Sequence, residues 1–154
     1  LPVTGFISSG TGFLNSNPDI TLTEPANTEL PITVGAYRAE NNSIYLDSGR
    51  GFTRNGRIKP DLAAPGVAVS TYGPGDRAEL LTGTSAAAAL TAGAVALMLE
   101  WGIVRENRKT LGTLEIRQLL IRGADRSPNL LYPNRSWGYG RLNLYQAFMA
   151  LGRF

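Results

Sequence analysis

Gly83-Thr84-Ser85-Ala86-Ala87-Ala88-Ala89 puts one hydroxyl at the start of a long, almost wholly apolar stretch, in a chain of 154 residues with no histidine. Two readings follow from the local pattern. Thr84 or Ser85 could serve as an N-cap, its side-chain oxygen accepting a hydrogen bond from an unpaired N–H of the first helical turn. Alternatively, Ser85 is a nucleophile, because the free N–H groups and positive dipole of a helix start stabilise negative charge beside it. An oxyanion formed by attack of Ser85 Oγ on a carbonyl would lie next to the Ser85 N–H. Gly83 would then let backbone approach substrate closely, and Ala86 and Ala87 would leave the hydroxyl unobstructed. A serine nucleophile needs a base, and with no histidine this chain does not supply the usual one. Either Ser85 caps a helix or the chain is part of a larger active site.

Outward from this stretch, the apolar residues run on past Leu99, and small side chains cover nearly every face. The pattern predicts a helix over residues 84–101, stopped by Gly102 and buried on all sides. Thr113 as N-cap, then Leu114, Ile116, Leu119, Leu120 and Ile121, predict an amphipathic helix ended by Gly123. Residues 142–151 read as a last short helix. Upstream, β-branched and apolar residues 32–37 suit a buried strand. Asn41-Asn42 marks a turn, residues 43–46 a short strand, and Gly-rich residues 48–57 a loop. Pro60 and Pro65 bracket Asp61-Leu62-Ala63-Ala64. Residues 67–71 are a second strand candidate, Gly73-Pro74-Gly75-Asp76 a turn, and residues 79–81 a short extended piece. Residues 1–31 read as loops with one or two short strands. Strands alternating with helices predict an α/β fold, with a mostly parallel sheet covered on both faces.

Composition narrows the classes. A hydrophobic content of 43% with 18% charged residues fits one soluble domain. The net charge of +3 arises from 15 basic and 12 acidic residues, too even a balance to imply a nucleic-acid partner. Arg105, Arg108 and Lys109 lack interleaved aromatics and read as a solvated group. The absence of cysteine excludes disulfides and thiolate zinc sites, and the absence of histidine excludes imidazole ligation. Acidic residues are too scattered to nominate calcium ligands, so no metal and no cofactor is assigned. The run from Ala86 to Leu99 is short for a membrane span, and the first six residues lack the basic start of a secretory signal. Asn41-Asn42-Ser43 and Asn134-Arg135-Ser136 match the glycosylation triplet as a common coincidence.

A resemblance separates the two readings of Ser85. Gly83-Thr84-Ser85-Ala86-Ala87-Ala88 resembles the nucleophile motif of the subtilisin-like serine proteases, in which Gly-Thr-Ser opens a central buried helix. Three more segments are similar to that family in the same order: Ile32-Thr33-Val34-Gly35-Ala36, a core strand; Gly49-Arg50-Gly51 with residues 56–67, the segment before the helix; and Trp137-Gly138-Tyr139-Gly140-Arg141-Leu142-Asn143, the C-terminal closure. Together they cover about residues 21–150. The resemblance implies a partial three-layer αβα fold and peptide-bond hydrolysis through an acyl-enzyme on Ser85. Its triad runs Asp, His, Ser along the chain, so both partners would lie upstream of Leu1. The oxyanion-hole asparagine also precedes the matched strand in that family, and Asn15, Asn17 and Asn27 do not sit in its motif. Asp61 falls in a structural motif, where Lys59 or Arg57 would pair with it. Glu24-Pro25-Ala26-Asn27 resembles the region shaping the pocket for the side chain preceding the cleaved bond. Only Ser85 is carried over as catalytic, with Gly83 and Thr84 at the approach.

Leu1-Pro2, Phe13-Leu14, Thr21-Leu22-Thr23 and Pro25 further resemble clostridial germination-type subtilases, whose protease domain is interrupted by a β domain. Residues 1–20 would then be the junction with an inserted or upstream domain. The substrate would be another protein, such as the zymogen of a cell-wall lytic enzyme, acted on outside the cell or at the spore. Some such relatives are pseudoproteases, so a silent, peptide-binding scaffold is the alternative function. The chain on its own should be inert towards peptides, its partner being the upstream remainder of the domain. Half of a covered sheet exposes an unpaired edge and an apolar helix surface, so self-association is expected in isolation.

Overall fold

The computed structural model describes residues 15–151. A β-branched start and small residues let β1 (Val34–Arg38) run through the centre of a three-stranded sheet of order β2-β1-β3. Its antiparallel neighbour is the two-residue β2 (Ser43–Ile44), and its parallel neighbour is β3 (Leu62–Pro65). The parallel register pairs Val34 with Leu62, Ala36 with Ala64 and Tyr37 with Pro65. On the outer edge of β3, Ala63 N–H donates to Gly140 O and Leu142 N–H to Ala63 O, so the closing segment extends the sheet. A separate antiparallel ribbon, β4 (Val69–Gly73) with β5 (Arg77–Leu81), connects β3 to the long helix. The pieces predicted at residues 67–71 and 79–81 thus belong to this ribbon, outside the sheet.

Helices cover one face. Helix α1 (Thr84–Leu99) lies on β1 and β3, with Ala36, Ala64 and Ala87 fully buried in contact. Its far end joins a larger core of Leu62, Met98, Leu111, Ile116, Leu119, Leu120, Ala124 and Ala147, contributed in part by α2 (Thr113–Arg122) and α3 (Leu144–Leu151). The opposite face is covered by loops. A Cβ on Gly35 would sit 3.0 Å from Ser136 O, and the Tyr37 ring lies 5.4 Å from that of Trp137. Of the three layers expected, the described residues supply the sheet and one helical layer.

Several expectations are corrected. The helical run does not stop at Gly102: it continues as a π-helical turn, Glu100–Val104. Gly102 is buried there, and a Cβ would come within 2.7 Å of Leu111 Cδ2, so the glycine makes a close contact inside the helix. With this turn the run Thr84–Val104 has 21 residues, a membrane-span length. Its packing on β1 and β3, rather than the shortness expected from the sequence, marks it as a core helix. Nor is α1 buried all round. Ala86, Ala87, Thr91, Ala94 and Met98 are buried, whereas Leu90 and Leu97 are 41% and 52% exposed. Composition records how apolar a face is, while burial depends on what else is present to cover it. Thr113 is the first helical residue of α2; the N-cap is Gly112, without a side-chain cap. Leu142 is held on β3, and α3 starts after Asn143, whose side chain accepts from Gln146 N–H. The segment between Pro60 and Pro65 holds the parallel strand β3, beside β1. Pro65 fits there because it occupies the last paired position.

Candidate active site

Strand β3 ends in Pro65-Gly66, and this glycine sets where α1 begins. Gly66 N–H donates to Tyr37 O at 2.9 Å, extending the ladder by one residue, and Gly66 O accepts from Gly83 N–H at 2.7 Å. The backbone entering the ribbon and the backbone leaving it are thereby tied together. Ala68 N–H adds a bond to Thr82 Oγ1 at 2.9 Å. A Cβ on Gly66 would lie 2.6 Å from Ala36 Cβ and 2.8 Å from Gly83 O, a space that only glycine fits. Gly66→Ala is therefore expected to destabilise the fold by about 1–3 kcal/mol and to displace the start of α1. Chemical denaturation measures the first effect, and an unchanged midpoint would contradict the close approach.

Gly83 has φ +146°, a backbone setting that disfavours side chains. Its carbonyl accepts from Ala86 N–H at 3.1 Å and opens α1. Gly83 is the N-cap, and no side chain caps this end. Neither Thr84 nor Ser85 is used as a cap, so the structural reading of these hydroxyls does not hold. The Thr84 and Ser85 N–H groups fall in the first turn, where helices leave donors unpaired. Thr84 and Ser85 are exposed, Gly83 is half-buried, and Ala86 and Ala87 point into the core. Among the described residues no hydrogen bond reaches the Ser85 hydroxyl. It stands at the carboxyl ends of parallel strands β1 and β3, the place where α/β sheets bind ligands.

Among the described residues no base is gathered around Ser85. Asp61 is committed elsewhere: its Oδ2 is 2.7 Å from Lys59 Nζ and accepts from Thr33 N–H at 2.7 Å, with both ionic side chains almost wholly buried. Lys59 Nζ also donates to Pro31 O at 2.7 Å. The expected ion pair is thus made by Lys59, and Arg57 instead reaches Asn27 O at 3.4 Å. Glu24 and Asn27 line a cavity of about 510 Å³ with Thr23, Thr53, Asn55 and Arg57, and Ser85 is not part of its wall. Asn27 Nδ2 donates to Leu22 O, and Asn17 Oδ1 accepts from Asp19 N–H, so neither side chain is directed to Ser85. Leu1, Pro2, Phe13 and Leu14 lie outside the described residues. Among the described residues no cluster of three or more acidic groups could hold a metal ion. The tie between Gly66 and Gly83 across the ribbon has one local sign in the sequence, a Pro-Gly pair closing a short apolar run.

The pattern of the Subtilase family matches residues 6–140. The chain belongs to the subtilase family. Subtilases similar to it include the mouse membrane-bound transcription factor site-1 protease (Mus musculus), 32% identical over 140 residues, covering 87% of this chain and 13% of that protein. The serine protease AprX of Bacillus subtilis (strain 168) is 32% identical, over 84% of this chain and 32% of that one. Among solved structures, the CspB protease of Clostridium perfringens superposes with a TM-score of 0.89 at 38% identity, covering 94% of this chain and 32% of that one. The self-cleaved protease domain of PatA gives 0.70 at 30% identity, with coverage of 88% and 47%. These likenesses establish a subtilisin-like fold, of which the chain is a part. It spans between an eighth and a half of the length of these subtilase relatives.

Proposed function

We propose that residues 1–154 are the C-terminal portion of a subtilisin-type peptidase domain that hydrolyses peptide bonds through an acyl-enzyme on Ser85, with Asp and His supplied from upstream. The observation that carries this reading is the exposed Ser85 hydroxyl at an uncapped helix start. In the reaction, an upstream histidine takes the Ser85 proton as Oγ bonds to the scissile carbonyl carbon. Negative charge passes to the carbonyl oxygen beside the Ser85 N–H, where the unpaired donors and helix dipole stabilise it. The amine leaves with the proton held by histidine, and water then releases the acyl group by the reverse sequence. Gly83 and Thr84 form the approach to this centre. The substrate is a protein or peptide, and the similarity to the germination-type subtilases favours a protein such as a zymogen of a cell-wall lytic enzyme.

Residues 1–154 alone should not hydrolyse peptides, because they contain no histidine. A Ser85-dependent rate from the purified chain would show that the base does not lie upstream. The alternative is a silent scaffold that binds peptide without cutting it, as in the pseudoproteases among the germination-type subtilases; the retention of Ser85 favours the active enzyme over it. Peptide binding by the full-length protein with no turnover supports that alternative.

The open face of α1 gives a separate expectation. Leu90, Leu97, Ile103 and Val104 are between 41% and 74% exposed along one helical run. In isolation the chain should self-associate to cover them, as light scattering during size-exclusion chromatography would report. A compact monomer that unfolds cooperatively would contradict it.

A further inference from the structure

Asn55-Gly56 is the one Asn-Gly step in the sequence. It occupies an exposed turn between Thr53 and Arg57, far along the chain from Ser85. Asparagine followed by glycine can close on itself, because the glycine nitrogen reaches the side-chain carbon with no side chain of its own in the way. Three contacts define the chemistry of this turn. Thr53 Oγ1 donates to Asn55 Oδ1 at 2.6 Å, the shorter of the two bonds open to that hydroxyl proton; Arg57 O lies at 3.2 Å. Arg57 N–H donates to Thr53 Oγ1 at 2.9 Å, which holds the hydroxyl in place and polarises it towards the amide. Thr53 is itself 6% exposed, so the donor is fixed by the fold. Gly56 has φ +79° and open space around it where a Cβ would lie. Opposing these, Gly56 N–H donates to Thr53 O at 3.0 Å and must leave that bond to react.

We propose that Asn55 is a site of spontaneous backbone-assisted deamidation, promoted by the Thr53 hydroxyl. Base removes the proton of Gly56 N, which bonds to Asn55 Cγ. Charge develops on Asn55 Oδ1, where the Thr53 hydroxyl already donates, the placement that stabilises an oxyanion. The Cγ–Nδ2 bond then breaks and ammonia leaves, giving a five-membered succinimide. Water opens this ring at either carbonyl, forming aspartate or the isoaspartyl linkage. The net change is one water consumed and one ammonia released.

The product alters the wall of the cavity that Asn55 shares with Glu24 and Arg57. A carboxylate replaces a neutral amide between Arg54 and Arg57 in sequence, and the isoaspartyl form lengthens the backbone of the turn by one carbon. This inference stands independently of the role given to Ser85.

The test incubates the full-length protein at mildly alkaline pH and follows it by peptide mapping and isoaspartyl methyltransferase labelling. Modification should appear at Asn55 well ahead of exposed Asn107 and Asn129, whose following residues Arg108 and Leu130 crowd the nitrogen. Its rate should rise with pH, and labelling of this peptide should vanish in Asn55→Gln, which would have to form a larger ring. Thr53→Val should slow the reaction several-fold. Asn55 remaining intact while Asn107 or Asn129 reacts would overturn the site. Because Thr53→Val removes both the donated and the accepted bond of the hydroxyl and could unfold the turn, Thr53→Ser is the companion variant and should retain the wild-type rate. A rate equal to wild type in a folded Thr53→Val, or loss of the reaction in Thr53→Ser, would overturn the role of the hydroxyl.

Discussion

Replacing Ser85 by alanine in the full-length protein should lower peptide turnover by about 10⁶-fold, the loss known for the subtilisin nucleophile. A factor of that size corresponds to roughly 8 kcal/mol of transition-state stabilisation. It is large because the nucleophile, the base and the orienting acid act as a unit. The substitution is clean on structural grounds. Ser85 is exposed, its hydroxyl makes no hydrogen bond among the described residues, and the helix is opened by Gly83 backbone. Thermal unfolding should therefore be unchanged within the usual range for surface substitutions, roughly 0.5 kcal/mol. Turnover within tenfold of wild type would mean that another group carries the reaction.

The second large effect concerns the ion pair that fixes the segment before β3. Lys59→Met should destabilise the protein by about 3–5 kcal/mol, because it leaves the Asp61 carboxylate buried and uncompensated. Among the described residues, Thr33 N–H alone would then remain as a donor to Asp61 Oδ2. The pair also holds distant parts of the chain together: Lys59 bonds Pro31 O, Asp61 N–H bonds Thr33 O, and Tyr139 N–H bonds Asp61 O. Disruption should therefore loosen both β1 and the closing segment. The double variant Lys59→Met, Asp61→Asn removes the stranded charge while keeping an acceptor for Thr33 N–H. It should recover most of the loss in denaturant titrations. If the double variant were no more stable than the single one, buried charge would not be the source of the effect.

Much of this fold is legible in the sequence where one residue type leaves little choice. Ile32 to Tyr37 reads as a buried strand because β-branched and small residues dominate it, and β1 overlaps it from Val34, running one residue further to Arg38. The start of α1 is equally plain, since Gly83 ends one conformation and an alanine run begins another. β3 is harder to see: Leu62-Ala63-Ala64 is too short for a period and is flanked by prolines, so only its partner β1 makes it a strand. Gly102 lies in the π-helical turn after α1 and is close to Leu111 across a loop, a proximity that no local pattern encodes. All-round burial of α1, expected from its composition, fails for the same reason. An apolar face at Leu90 and Leu97 states a need for cover, whereas the described residues leave both side chains exposed. At the site, the motif singles out Ser85 as the candidate nucleophile, and the tie between Gly66 and Gly83 that opens its helix is visible only in three dimensions. The ion pair shows the intermediate case, since a two-residue spacing can place Lys59 and Asp61 together but does not exclude Arg57.

The measurement that bears most directly on Ser85 as an activated nucleophile is the intact mass of the folded full-length protein after treatment with a fluorophosphonate probe, with Ser85→Ala as control. A single mass increase that disappears in the alanine variant is the expected result, since only a serine activated by an assembled triad reacts in this way. A folded protein that takes up no probe, yet still binds peptide, would contradict the protease reading and leave this chain as part of a silent binding domain.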